Sequence, residues 1–147
     1  MPWVYLSLGS NIDPEKNVPD AIEMLKQSFP GILISSVYET DPIGPAGNQK
    51  FWNLAAALET SEAREKLVPL LRKIEEKLGR VRSGNKYAPR PMDIDLLPQP
   101  DYQNQAFIMI PLAEIAPQAK DTATGKTFLE IASGLRENAK QFRKVLA

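Results

Sequence analysis

The chain has 147 residues, 18 basic and 18 acidic side chains, and neither cysteine nor histidine. A length near ~150 residues is typical of one domain, so we expect a single domain over residues 1–147. The absence of Cys and His excludes disulfides, thiolate nucleophiles, His-ligated metals and Ser-His or Cys-His catalytic arrangements. A metal bound here must therefore be a hard cation held by oxygen, such as Mg²⁺, Mn²⁺ or Ca²⁺.

The zero net charge conceals one strongly positive segment. Residues 72–90 carry seven basic and two acidic side chains, a net of +5. A short positive segment in a neutral chain favours a small polyanion over nucleic acid as partner. The first residues lack the basic and apolar regions of a signal peptide or a membrane span. We therefore expect a cytoplasmic protein with no membrane and no nucleic-acid partner.

In the first half of the chain, short apolar and β-branched runs predict strands and helical periodicity predicts helices. The predicted order is a strand at 4–8, a helix from Pro14 to before Pro30, a strand at 32–38, a strand at 51–58 and a helix at 61–78. Asp13 is the predicted N-cap of the first helix, and Pro69 predicts a kink or a later start in the second. Residues 40–48 are dense in turn residues and predict a long loop.

The second half predicts two further strands and two short helices. The strands are expected at 92–97 and 108–112, and the helices at 128–135 and 138–146. Because a helix does not follow every strand, the order favours an open α+β sandwich of ferredoxin-like character over a doubly wound sheet.

Asp93 and Asp95 form the first candidate chemical site. In a strand, residues i and i+2 project on one face, which places two carboxylates side by side and turns Ile94 towards the core. Adjacent carboxylates repel unless a cation lies between them, and this spacing suits Mg²⁺ bridging to phosphate oxygens. The alternative is an edge strand with a solvated acidic face.

A basic loop directly precedes the aspartate pair. Residues 79–90 include Arg80, Arg82 and Arg90, whose guanidinium groups can grip phosphates bidentately. An Arg-rich loop can also be merely a solvated surface. Cations next to acidic metal ligands are what phosphoryl transfer needs, so the two features together favour nucleotide chemistry.

The loop before the predicted strand at 51–58 supplies a third feature. Phe51 and Trp52 offer stacking faces and Asn53 offers an amide, which together suit a flat heterocycle with donor and acceptor edges. Alternation along a strand places Asn53 on the face of Phe51 and Trp52 on the other. One of the two aromatic rings is therefore expected in the core.

Several ordered motifs make nearly the whole chain resemble a known family. They are Leu8-Gly9-Ser10-Asn11, residues 38–45, Phe51-Trp52-Asn53, Gly79-Arg80-Val81-Arg82, residues 89–95, and Phe107 with residues 111–117. At this spacing they resemble the 6-hydroxymethyl-7,8-dihydropterin pyrophosphokinases of folate biosynthesis. The resemblance implies a ferredoxin-like αβα sandwich with a mostly antiparallel sheet. It also implies transfer of the β,γ-diphosphate of ATP to the pterin's hydroxymethyl oxygen, with two Mg²⁺ ions and release of AMP. We expect a monomer acting on these two small molecules.

The resemblance also implies roles for individual residues. The implied catalytic residues are Arg82, Arg90, Asp93 and Asp95, with both aspartates as metal ligands. The implied pterin contacts are Thr40, Pro42, Ile43, Phe51, Asn53 and Phe107. The implied ATP contacts are Arg72, Glu75, Arg80, Arg82, Tyr87, Arg90, Gln99 and Gln105. The expected mechanism is in-line attack of the pterin hydroxyl on the β-phosphorus, without an obvious general base.

The chain departs from the family pattern after the aspartate pair. The family usually has a longer segment there, with a His and an Arg that contact ATP, whereas this chain has Gln99 and Gln105 at those places. A charged phosphate contact is worth ~1.5–3 kcal/mol, so its loss predicts weaker ATP use. One alternative function is therefore a catalytically weakened homologue that binds a pterin or nucleotide. An RNA-binding domain would need aromatic residues within basic strands, a pattern that the sequence lacks.

Overall fold

The computed structural model describes residues 2–40, 50–79 and 91–146. Its strands are β1 (Trp3–Ser10), β2 (Leu33–Ile34), β3 (Val37–Thr40), β4 (Phe51–Glu59), β5 (Asp93–Leu96) and β6 (Arg143–Leu146). Its α-helices are α1 (Pro14–Ser28), α2 (Arg64–Lys77), α3 (Ala106–Ile115) and α4 (Phe128–Gly134). Short 3₁₀ helices cover Tyr102–Asn104 and Arg136–Ala139.

The strands form one open antiparallel sheet. The order is β5-β1-β4-β3-β6, and β2 pairs with β4 beside β3. Each strand pair in the described part of the chain is antiparallel. β1 and β4 lie at the centre and pair along their whole lengths. The predicted α+β, ferredoxin-like sandwich is confirmed.

Helices cover both faces of the sheet. On one face, Leu6, Leu8, Leu54 and Ile94 pack with apolar residues of α1 and α2 to form the larger core cluster. On the other face, α3 and α4 form a second cluster over Ala55, with Tyr5 meeting Phe128 edge to face. The sheet is therefore the middle layer of three.

The first helix begins as the sequence indicates. Asp13 occupies the N-cap position and Pro14 the first helical position, but Asp13 caps α1 without a side-chain hydrogen bond. Its backbone carbonyl instead accepts from the amides of Lys16 and Asn17. The second helix starts at Arg64 rather than residue 61, and Pro69 lies inside it.

The predicted strand at 32–38 is divided into β2 and β3 by Ser35 and Ser36. The Ser35 hydroxyl accepts a hydrogen bond from the Ala55 amide at 2.8 Å. The amide and hydroxyl of Ser36 both donate to Oε2 of Glu114 on α3, at 2.8 and 2.9 Å, and the Tyr38 hydroxyl donates to Oε1. The Ser35 amide still donates to the Ala55 carbonyl at 2.9 Å, so these side-chain hydrogen bonds supplement the backbone pairing at the break and attach α3 to the sheet.

The predicted strand at 108–112 is wrong, because these residues form the middle of α3. Six of the ten α3 residues are buried, so the helix is apolar almost all round. A short continuous apolar run cannot be assigned to helix or strand by periodicity alone. The β-branched residues Ile108 and Ile110 added to the strand signal.

The predicted helix at 138–146 is also wrong. Residues 136–139 form a 3₁₀ turn, and Arg143–Leu146 pairs with β3 as an edge strand. Arg143 donates to Glu39 on β3 at 3.1 Å, and the Lys144 ammonium lies 5.8 Å from the centre of the Tyr38 ring. These contacts to a distant segment override the local preference. Throughout the described residues, we find no helix with both the length and the apolar character needed to cross a bilayer.

Candidate active site

The register of the sheet places the two predicted binding features in one row. Gly9 in β1 pairs with Asp93 in β5 on one side and with Asn53 in β4 on the other. Residues paired across neighbouring strands project from the same face. Two strand spacings of ~4.8 Å separate Asp93 from Asn53, so their backbones are about 10 Å apart. A glycine without a side chain lies between them.

The aspartate pair has the alternation that the sequence predicts. Asp93 and Asp95 are partly exposed on the face of Gly9, whereas Ile94 is fully buried on the opposite face. Asp95 pairs with Ser7 of β1, and Ser7 is buried. Both carboxylates therefore project from the site face at the end of the sheet.

The electrostatics of the pair favour a bound cation. Burial above all raises the pKa of Asp95 to about 6, with further contributions from the charge of Asp93, a hydrogen bond between the two side chains, and the charge of Glu75. The Arg72 guanidinium acts in the opposite direction. Two carboxylates that share a proton are a donor set that a divalent cation can occupy instead. Their chemistry thus fits Mg²⁺.

The described ranges contain no group of three or more Asp, Glu, His or Cys side chains placed to hold a metal ion. The described protein ligands would therefore be the two aspartates, with water and phosphate oxygens filling the remaining positions. Magnesium typically binds in this way, through one or two carboxylates plus substrate phosphates.

Arg72 and Glu75 of α2, two predicted ATP contacts, lie directly behind the aspartate pair. Oε2 of Glu75 accepts a hydrogen bond from the Ile94 amide at 2.7 Å and lies 2.8 Å from Nη1 of Arg72. The same Nη1 donates to the Ile94 carbonyl at 2.9 Å. Glu75 is 1% exposed. Arg72 and Glu75 therefore contact each other and the backbone of β5.

Three of the predicted pterin contacts are brought together at the ends of β3 and β4. Thr40 pairs with Phe51, and the Asn53 side-chain amide donates to the Thr40 hydroxyl at 2.6 Å. Thr40, Phe51 and Asn53 are buried. Trp52 lies on the opposite face, packs against the larger core and donates to Glu39 at 3.3 Å. The predicted division of faces between Phe51 and Trp52 is therefore observed.

Phe107 lies in the first turn of α3, not on a strand. With Thr40 and Gln105 it lines an open pocket of about 220 Å³, which Asn138 and Phe142 also line. Gln105, a predicted ATP contact, is thus placed beside predicted pterin contacts. Gln99, the other glutamine among the predicted ATP contacts, donates to the Leu96 carbonyl at the end of β5. The Gln105 side chain donates to Asp101 at 3.3 Å, so the two glutamines bind different groups.

Six predicted site residues lie outside the described residues: Pro42, Ile43, Arg80, Arg82, Tyr87 and Arg90. Two of the residues lining the pocket, Asn138 and Phe142, were not singled out by the sequence. Neither belongs to a motif, and both come near Thr40 through the packing of the C-terminal segment, in which the second 3₁₀ helix contacts α3 and β6 pairs with β3. No local pattern in the sequence reports such a long-range contact.

Gly9 follows the predicted strand at 4–8, but in the structure it lies within β1. A Cβ at this position would lie 2.7 Å from Oδ1 of Asn53 and 3.8 Å from the Phe51 ring. Because Gly9 has no side chain, the Asn53 carboxamide has room to lie against the backbone of β1. Only knowledge of the strand register identifies this function of the glycine.

Comparison with known proteins agrees with this geometry. The pattern of the 7,8-dihydro-6-hydroxymethylpterin-pyrophosphokinase family matches residues 5–117. The chain belongs to this family. The match spans β1 to α3 and so includes the aspartate pair, Asn53 and Phe107. The resemblance found in the motifs is confirmed for the family as a whole.

Curated members of the pyrophosphokinase family are similar over most of their length. The three described here carry the name 2-amino-4-hydroxy-6-hydroxymethyldihydropteridine pyrophosphokinase. The protein from Bacillus subtilis is 35% identical over 82% of this chain and 81% of its own. The one from Pseudomonas aeruginosa is 35% identical over 80% and 82%. The one from Methylorubrum extorquens is 36% identical over 80% and 84%.

Proposed function

We propose that this chain transfers diphosphate from ATP to 6-hydroxymethyl-7,8-dihydropterin, a step of folate biosynthesis. The observation that carries the proposal is the row Asp93, Gly9 and Asn53, which sets a carboxylate pair beside a buried amide on one face. The family of the chain and the names of its relatives agree with this chemistry. The names favour an enzyme over a binding module.

The proposed pterin site is built from Thr40, Phe51, Asn53 and Phe107, together with Pro42 and Ile43. Phe51 and Phe107 supply apolar ring faces for a flat heterocycle. The Asn53 carboxamide is held by its hydrogen bond to Thr40, so its remaining donor and acceptor positions have a fixed direction. A fixed amide favours a heterocycle whose edge offers the complementary groups.

The proposed phosphate site lies at the other end of the row. Asp93 and Asp95 would hold magnesium, with two ions as the proposed number, and Arg80, Arg82 and Arg90 would bind the phosphates. Arg72, Glu75, Tyr87, Gln99 and Gln105 complete the proposed ATP site. Magnesium, when bound, neutralises charge on the phosphate oxygens and lowers the pKa of a coordinated hydroxyl.

The proposed reaction is an in-line displacement. The pterin hydroxymethyl oxygen forms a bond to the β-phosphorus, and the bond from that phosphorus to the oxygen bridging the α-phosphate breaks. AMP leaves with the bridging oxygen, and the hydroxyl proton passes to water. Arg82 and Arg90 stabilise the charge that develops on the transferred group. Positioning and electrostatics carry most of the catalysis in such transfers.

We further propose that residues 1–147 form one domain that acts as a monomer in the cytoplasm, where ATP is available. Light scattering of the purified chain tests the monomer, since a dimer would double the mass.

The proposed activity is tested by the release of AMP from purified protein, ATP, Mg²⁺ and the hydroxymethyl pterin. We expect AMP that depends on both the pterin and Mg²⁺. Pterin binding without AMP above the pterin-free control would refute the enzyme and favour the binding module.

A further inference from the structure

We propose that Arg72 and Glu75 are positioning residues, which orient the aspartate pair by holding the backbone of Ile94. The inference rests on the proposed function only for the identity of the ligand that the aspartates bind. It deepens the predicted role of both residues in the ATP site by naming the groups on which they act.

β5 lies at one edge of the sheet and, among the described residues, pairs with β1 alone. In an antiparallel pair, the amide and carbonyl of one residue point to the same side, either towards the partner strand or away from it. The Ile94 amide and carbonyl both meet α2 side chains, so they point to the open side. Without such partners, this part of the strand would be held on one side only.

The two contacts fix both peptide planes between the aspartates. The Ile94 amide belongs to the peptide that joins it to Asp93, and its carbonyl belongs to the peptide that joins it to Asp95. Glu75 accepts from the first at 2.7 Å, and Arg72 donates to the second at 2.9 Å. Because peptide units are planar, anchoring both restricts the direction in which each aspartate side chain leaves the strand.

The anchor is itself rigid. Arg72 and Glu75 are three residues apart on one helix and form an ion pair of 2.8 Å. Glu75 is 1% exposed, and Ile94 is fully buried among α1 and α2 residues. Outer partners that orient metal ligands typically change metal affinity by ~10–100-fold when removed. The Arg72–Glu75 ion pair is placed to have such an effect.

Arg64 provides a matched control on the same helix and strand. Its Nη2 lies 3.4 Å from the carbonyl of Leu96, the next residue along β5 whose backbone faces α2. Leu96 follows Asp95, so this contact does not involve the peptides between the aspartates. Arg64→Met therefore removes an arginine contact to β5 but leaves the contacts to the two peptides between the aspartates intact.

The test measures the binding of Mn²⁺ alone by electron paramagnetic resonance, without ATP or pterin. We expect Arg72→Met to weaken Mn²⁺ binding about tenfold, and Arg64→Met to leave it unchanged. The sign is diagnostic, because removing a nearby positive charge would by itself strengthen cation binding. A role confined to ATP contact would leave Mn²⁺ binding in Arg72→Met unchanged or stronger, never weaker.

Arg72→Lys is the conservative variant, because its ammonium keeps the charge and places a donor close to the position of the guanidinium nitrogen. It can still donate to the Ile94 carbonyl, so we expect Mn²⁺ affinity close to that of the unmodified protein. It also serves if Arg72→Met fails to fold. Loss of Mn²⁺ affinity in Arg72→Lys equal to that in Arg72→Met, no loss in a folded Arg72→Met, or an equal loss in Arg64→Met would overturn the proposal.

The proposal and the function can fail separately. Mn²⁺ binding that weakens in Arg72→Met supports the positioning role even if the unmodified protein releases no AMP. AMP release with unchanged Mn²⁺ binding in Arg72→Met supports the function and refutes the positioning role.

Discussion

Replacing Gly9 with alanine tests how the proposed pterin site is built. The new Cβ would lie 2.7 Å from Oδ1 of Asn53, closer than real Cβ contacts, so the Asn53 carboxamide must rotate or shift. Its hydrogen bond to Thr40, 2.6 Å long and buried, would then be distorted or lost. The backbone can remain in place, because the obstructing atom is at the end of a side chain.

The magnitude follows from the balance of two effects. A buried donor left without a partner costs ~1–3 kcal/mol. Replacing a strand glycine by alanine recovers ~0.5–1 kcal/mol through the unfolded state. We therefore expect a net loss of about 1–2 kcal/mol in the free energy of unfolding. The displaced amide should also raise the KM for the pterin about tenfold, the value of one hydrogen bond of ~1.4 kcal/mol.

Urea denaturation and steady-state kinetics measure both effects. Gly134→Ala in α4 is the control, because a Cβ there meets nothing within 4 Å, so the change should be neutral or stabilise the fold by up to ~1 kcal/mol. In an Asn53→Ala background the clash disappears, so Gly9→Ala should cost almost nothing further. If Gly9→Ala is as destabilising in that background as alone, the clash with Asn53 is not the cause.

Three further predictions concern the side chains of Asp95 and Glu114. Asp95→Ala should abolish Mg²⁺-dependent ATP binding in titration calorimetry but spare pterin affinity; retained metal dependence would contradict the metal assignment. Because burial raises the pKa of Asp95 to about 6, above its value in the unfolded chain, its protonated form stabilises the metal-free fold at pH 4, and this stability, on the order of 2 kcal/mol, is lost as the pH rises from about 4 to about 6. Unfolding curves from pH 4 to 8 should show the loss, and Asp95→Asn should remove it; a slope unchanged in Asp95→Asn would assign it to another group. Glu114→Ala should cost about 1–3 kcal/mol in urea, because Ser36 and Tyr38 lose their acceptor, whereas Glu137→Ala removes only the exposed ion pair to Lys140 and should cost under ~0.5 kcal/mol; equal losses would refute the role of Glu114.

Local patterns were sufficient to predict part of the site. Alternation along a short strand is a strong constraint, so the common face of Asp93 and Asp95 and the burial of Ile94 follow from the sequence. The same constraint separates Phe51 from Trp52. These features depend on neighbours in the chain and on the period of a strand.

The remaining features depend on contacts between distant segments. The register that aligns Asp93, Gly9 and Asn53 is set by the pairing of three strands, and no single strand encodes it. The Arg72–Glu75 contacts to Ile94 similarly require the packing of α2 beside β5. α3 and β6 were misassigned because burial and pairing decided their structure against the local signal.

The products of the reaction test the central proposal most directly. Phosphorus NMR of a mixture of ATP, Mg²⁺, the hydroxymethyl pterin and the purified chain should show pterin diphosphate and AMP in equal amounts. Formation of ADP with a pterin monophosphate, or AMP at the same rate without the pterin, would contradict diphosphate transfer by this site.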